Sequence, residues 1–258
     1  LKEKMGTLEA VDALKEKMEA GKYSFVFDKT KSKGITTIFI TQPGQFSKTE
    51  EVIRKHGNSK AIANAAKRFD GDTQINPKTG QMEASGGTLG LYIHSQKVAI
   101  INLPLINKSA KNLDKALETV VHEHVHGLIG EGMAKLARPQ QEAFVAELEM
   151  LWESIDKDWL NLQRINPDVS PRTRAGINQT EKSITELVTY AMAHPEFAAW
   201  LNKIPASPRF QAKKSRIKTI WDALMDLVVT KVLKMPSKYD ELVSILNRNM
   251  KFGEQNQL

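Results

Sequence analysis

Hydrophobic positions along this 258-residue chain change period near its middle. Before residue 104 they fall in short β-branched and aromatic runs; beyond residue 113 they recur at helical spacing. Residues 23–28 and 35–41 flank a Lys-Ser-Lys-Gly turn and read as a hairpin. Residues 88–94 and 97–103, closed by Pro104, read as a second. Helical spacing predicts helices over 113–129, 139–160, 182–193, 195–203, 208–234 and 237–250. A Pro- and Asn-rich stretch, 165–179, separates two of them. Residues 47–69 are also patterned as helix, and the turn-rich 70–87 as an exposed loop. Strands first and helices afterwards predict an α+β fold with one small mixed or antiparallel sheet. Residues 1–22, rich in Lys and Glu, carry the string LKEKM twice and read as a helical arm or linker. The remainder, 23–258, is expected to be a single domain, sheet-rich over 23–104 and helical over 105–258.

Composition narrows the chemistry. A hydrophobic fraction of 41% with 26% charged residues argues against a wholly disordered chain. There is no cysteine, so neither a disulfide scaffold nor a thiolate metal site can form. Any metal would have to rest on His, Asp or Glu. No apolar run is long enough to span a bilayer, and the charged N-terminus lacks the apolar core of a secretion signal. No membrane partner is therefore expected. The chain begins with Leu rather than Met, as expected of a domain cut from a larger polypeptide.

Residues 119–127, Thr-Val-Val-His-Glu-His-Val-His-Gly, carry the candidate chemistry. His122-Glu123-x-x-His126 is an H-E-x-x-H pattern within a helical stretch. Residues four apart stand about 40° apart around a helix, so His122 and His126 can address one metal ion. Glu123, turned about 100° from His122, suits a general base on a water that the metal activates. His124 points about 180° away from the mean of the other two and should not share their metal. Leu117, Val121, Val125 and Leu128 form the stripe that buries the helix, and Gly127, Gly130 and Gly132 are expected to end it.

Catalytic zinc usually takes three protein ligands and leaves one position open. Glu186, on the later amphipathic stretch, is a candidate for the third, although Ser183-x-x-Glu186 is equally a capping-box pattern. Glu131, Glu142, Glu147 and His194 compete with it.

These features together resemble the zincin metallopeptidases, in the branch that joins H-E-x-x-H to a distant Glu (gluzincin-like). His122, Glu123 and His126 match the motif residue for residue. The string Glu186-Leu-Val-Thr-Tyr-Ala-Met resembles the ligand-bearing helix of lethal-factor-type peptidase domains. The run 186–201 and the stretch 90–102 are similar to zincin-like domains of large phage polyvalent proteins. The resemblance thus covers about residues 88–201. It implies a zincin-like fold, a Zn2+ cofactor held by His122, His126 and Glu186, and Glu123 as general base in peptide hydrolysis, more as an endopeptidase than an exopeptidase. It also implies a protein or peptide substrate and a cytoplasmic or virion-associated setting. The metzincin variant does not fit, since Ile129 stands where that motif needs Gly. One departure concerns the oxyanion. The catalytic Tyr of lethal-factor-type domains corresponds to Gln179 here, leaving Tyr190, His194, Arg172 and Arg174 as candidates. Tyr190 and His194 are taken as the catalytic partners.

Charge modifies this picture little. The excess of 37 basic over 30 acidic residues resolves into an acid-free basic run, 203–218, and an acidic stretch, 142–158. The cluster Lys213-Lys214-Ser-Arg216-x-Lys218 reads mainly as a solvated surface. Its alternative is a catalytically inactive zincin-like module that binds nucleic acid or a protein partner through 203–218. Aromatic interleaving of the kind single-strand binders use is lacking there, so nucleic acid is not favoured. The four Trp residues sit at apolar helical positions and are expected in the core.

Overall fold

The computed structural model describes residues 8–20, 23–41, 73–75, 82–84, 89–110, 113–212 and 217–234. The protein is mainly helical with a small mixed sheet, an α+β fold. It divides into two compact units, 1–130 and 131–258.

In the first unit, α1 (Leu8–Ala20) packs on α2 (Ser24–Ser32), and β1 (Thr36–Ile40) follows. A two-stranded antiparallel ribbon pairs β2 (Thr73–Ile75) with β3 (Met82–Ala84). Next come β4 (Gly90–Ile93), a 3-10 turn (His94–Gln96), β5 (Val98–Asn102), α3 (Leu103–Ala110) and α4 (Leu113–Met133). The three-stranded sheet has the order β1-β5-β4. β5 runs parallel to β1, with Ile38 opposite Ile100, and antiparallel to β4, with Tyr92 opposite Ala99.

The second hairpin is therefore present, whereas the first is not. Residues 24–32 form helix α2. The buried side chains of its N-cap residue Tyr23 and of Val26, Phe27 and Thr30 recur at i, i+3, i+4 and i+7. Helical spacing on a buried face outweighed the β propensity of its aromatic and β-branched residues. Every residue of β5 is buried, as its unbroken apolar run requires of a strand covered on both faces. The segment 98–102 is thus a core strand.

The second unit holds α5 (Arg138–Glu153), α6 (Lys157–Ile165), α7 (Pro171–Lys182), α8 (Thr185–Ala193), α9 (Pro195–Leu201), α10 (Pro208–Gln211), α11 (Ile220–Leu227) and a π turn (Val228–Val232). The helix expected over 139–160 breaks at 154–156, where the Asp156 carboxylate accepts a hydrogen bond from Trp159 N at 2.7 Å and starts α6. The stretch 165–179, expected to be a separator, contains the start of α7. Ser170 caps it through Thr173 N, and Pro171 occupies its first position. The 208–234 pattern resolves into α10, α11 and the π turn, with a Thr219–Asp222 capping box opening α11. Its apolar stripe, Ile217, Ile220, Trp221, Leu224, Leu227 and Val228, is buried throughout. Phe144, Leu148, Phe197 and Leu201 share that unit's core, each contributing roughly 1.5–3 kcal/mol of burial. Trp152 and Trp221 are core residues as expected, but Trp159 and Trp200 are not fully buried. The helices expected over 47–69 and 237–250 lie outside the described residues, as do Lys213, Lys214 and Arg216. Among the described residues no helix is long and apolar enough to cross a membrane.

Candidate metal centre

Helix α4 carries the histidines. Leu117, Val120, Val121, Val125 and Leu128 bury its stripe, and Asp114 lies in its first turn, where a negative charge suits the helix dipole. The glycines do not end it. It continues to Met133, and Gly127 serves close packing instead. A Cβ at Gly127 would stand 2.7 Å from Ile35 Cδ1 and from the Tyr92 ring. Gly130 and Gly132 similarly accommodate the His94 ring and Val232. Strand β4 therefore runs along this part of the helix, with Gly90 beside Glu123, Tyr92 beside Gly127 and His94 beside Gly130.

His122 and His126 are half-buried on successive turns, their ring centroids 4.8 Å apart and their Nε2 atoms 3.2 Å apart. Two nitrogens about 2.05 Å from one tetrahedral zinc ion would stand about 3.3 Å apart, so the pair already has a ligand's spacing. Glu123 is 7% exposed, and its carboxylate lies against the backbone of β4. A Cβ on Gly90 would fall 2.7 Å from Glu123 Oε1 and Cγ, so only glycine lets the strand come this close.

His124 has the opposite fate. It is 3% exposed, with Phe27 edge-on at 5.0 Å. Its Nδ1 lies 2.8 Å from Thr30 Oγ1 and its Nε2 2.7 Å from Thr37 Oγ1. Because Thr30 donates its own proton to Phe27 O at 3.0 Å, its oxygen accepts from His124 Nδ1–H. Thr37 then donates to Nε2, and the ring is neutral. Burial pushes its pKa down to about 4.

Glu186 lies at the second position of α8 and is half-buried. The capping-box reading does not hold: Ile184 precedes the helix with no side-chain cap, and Ser183 Oγ lies 3.0 Å from Thr185 Oγ1 instead. The ligand atoms of His122, His126 and Glu186 all lie within 4.8 Å of one another, a group that could hold a metal ion. Two imidazole nitrogens and a carboxylate oxygen are donors that zinc accepts. Among the described residues, neither Glu131, Glu142, Glu147 nor His194 belongs to this group. Glu142 pairs with Arg138 at 2.8 Å and Glu147 with Lys231 at 2.5 Å.

Tyr190 follows Glu186 by one turn of α8. His194 sits where α8 gives way to α9, 4% exposed, with its ring 4.7 Å from that of Tyr190. Tyr190 also meets Phe197, at 5.9 Å. Arg174 is committed elsewhere, since Nη1 donates to Asn166 O at 2.9 Å. Of the basic run, Lys203, Arg209 and Lys218 are exposed.

Sequence reasoning missed Gly90 and Tyr92 as companions of the motif. The available signal was a glycine opening a run of β formers, Leu91-Tyr92-Ile93, which marks close backbone approach. No protein-family model matches the chain, and no curated protein or solved structure shows significant similarity to it.

Proposed function

We propose that this protein is a zinc-dependent peptidase of zincin-like fold. The observation that carries the reading is the grouping of His122, His126 and Glu186, with buried Glu123 adjoining His122 on the same helix. His122, His126 and Glu186 would hold the ion. Zinc so held brings the pKa of a coordinated water down towards ~7 and polarises a carbonyl.

The chain's own residues supply the rest. Glu123 takes the proton of the attacking water and later delivers it to the leaving amine, leaving the carboxylate as it began. Gly90 lets the backbone pass beside that carboxylate, so a peptide laid along β4 would bring its scissile bond past Glu123. Among the described residues β4 lies at the sheet's edge, where backbone groups are available for strand addition. Tyr190 and His194 are the proposed partners for the negative charge on the tetrahedral carbon's oxygen.

Metal analysis of the purified protein, with cleavage of a broad peptide library, tests this reading. One zinc per chain and cleavage that is lost in Glu123→Gln while zinc is retained are the expected results. Undiminished cleavage in that variant would remove Glu123 from the mechanism, and zinc-free protein that cleaves peptides would remove the metal. Stoichiometric zinc without cleavage, combined with salt-dependent binding of nucleic acid that weakens when Lys213, Lys214 and Arg216 are neutralised, would favour the inactive binding module.

A further inference from the structure

We infer that a groove in the second unit binds an extended peptide segment carrying lysine or arginine beside apolar residues. The groove encloses about 720 Å³, within the range of sites that bury most of a bound molecule. Helices α6, α7 and α9 and the turns that join them form its walls. None of its lining residues belongs to the metal group.

Its aromatic wall is made of Trp159 and Trp200, with the buried Phe197 behind them. Trp159 and Trp200 lie 5.6 Å apart with planes 10° from parallel, and Trp200 stacks in turn on Phe197 at 5.5 Å. Phe197 is buried and anchors the stack, whereas Trp159 is 36% exposed. The exposed large hydrophobics among the described residues, Trp159, Leu162 and Ile165, all sit on α6. An apolar surface gathered on one helix beside a groove is what a partner's side chains cover.

Charge selects the partner. Asp156, Asp168 and Glu196 line the groove against one cation, Lys203, a balance of three acids to one base. Asp156 uses one carboxylate oxygen to cap α6. Asp168 and Glu196 have no ion-pair partner among the described residues and are open to a ligand's cation. Carboxylates next to indole rings suit an ammonium or guanidinium group, which pairs with the first and stacks on the second. The same carboxylates repel phosphate, so this groove does not fit a nucleic acid. The prolines at 195 and 205 in the lining keep its walls stiff, which suits an extended peptide held by side-chain pockets.

Fluorescence anisotropy with a fluorescein-labelled octapeptide of alternating Arg and Leu tests the assignment, against the same peptide with every Arg replaced by Glu. Mass spectrometry after each titration verifies that the probe is intact. The Arg peptide is expected to bind with a Kd on the order of tens of micromolar, at least about tenfold tighter than the Glu peptide. The Asp168→Asn/Glu196→Gln double variant should weaken it by about tenfold, and Trp159→Ala by about fivefold. Lys203→Ala should leave it unchanged or tighten it. Equal binding of the two peptides, or a double variant that binds like the wild type, would overturn the inference. The double variant changes only polar groups outside the core, so unaltered far-UV circular dichroism is expected to accompany its loss of binding.

Discussion

Two sides of one helix turn put the same residue type to opposite uses. His124 faces the core of the first unit, neutral and held between two threonine hydroxyls. His122 and His126, two residues to either side, point their Nε2 atoms at each other on the half-buried side. Helical geometry separates the two sets, and the hydroxyls at positions 30 and 37 decide what the inward one becomes. A histidine whose ring nitrogens both have protein partners is structural; a pair converging on a common point is ready for a metal.

The largest test of this contrast is ligand removal. His122→Ala should lower zinc affinity by about three orders of magnitude, and Glu186→Ala by a comparable factor, read by competition with a chromogenic chelator. His124→Ala should leave the affinity within about tenfold of wild type. If His124→Ala strips the metal as fully as His122→Ala does, the division between the two sides is wrong.

Acid stability separates the histidines next. The unfolded His124 takes up a proton near its ordinary pKa of 6.5, whereas the folded one resists until about 4. The native state therefore has stability above pH 6.5 that is lost as pH falls through 4, on the order of 3 kcal/mol from this residue. Urea unfolding of the chelator-treated protein should show that decline, and it should be shallower in His124→Gln. Parallel curves for the two proteins would contradict it.

At neutral pH, His124→Ala leaves the Thr30 and Thr37 hydroxyls short of a partner and opens a small cavity. A loss of about 2 kcal/mol is expected from the shift in urea midpoint. Gly127→Ala should cost about 1–2 kcal/mol, because the added methyl meets the Tyr92 ring and Ile35, both fixed in the core. Its melting temperature should fall while zinc stoichiometry is unchanged. A Gly127→Ala protein as stable as wild type would show that β4 and α4 can separate without cost.

How legible was all this in the chain? Where one side chain period ruled a long segment, reading was straightforward. Helix α4, the buried stripe of α11 and the β4–β5 hairpin follow from local pattern alone. The errors came where two local signals competed. Residues 24–32 have strand-forming residues at helical spacing, and tertiary burial of Tyr23, Val26, Phe27 and Thr30 chose the helix. Gly127 and Gly130 look like a helix terminus in isolation, but packing against the Tyr92 and His94 rings turned them into contact points within it. Trp159 and Trp200 sit at apolar helical positions, yet the turn at 154–156 redirects α6 and leaves them on a groove wall.

The amino-acid sequence requires that any metal rest on histidine and carboxylate, because the chain has no cysteine, and that His122 and His126 share a helix side, because 3.6 residues make a turn. It also determined that His124 must face elsewhere. It could not choose among Glu186, Glu131, Glu142, Glu147 and His194, since which carboxylate or imidazole arrives beside the pair depends on contacts between residues far apart in the chain. Nor could it show β5 in the middle of the sheet rather than at its edge, because strand order follows from parallel pairing with β1, more than fifty residues earlier. Local periodicity is written in neighbouring residues; the carboxylate that arrives beside the histidine pair, the strand order and the groove beside Trp159 are products of packing between residues far apart in the chain.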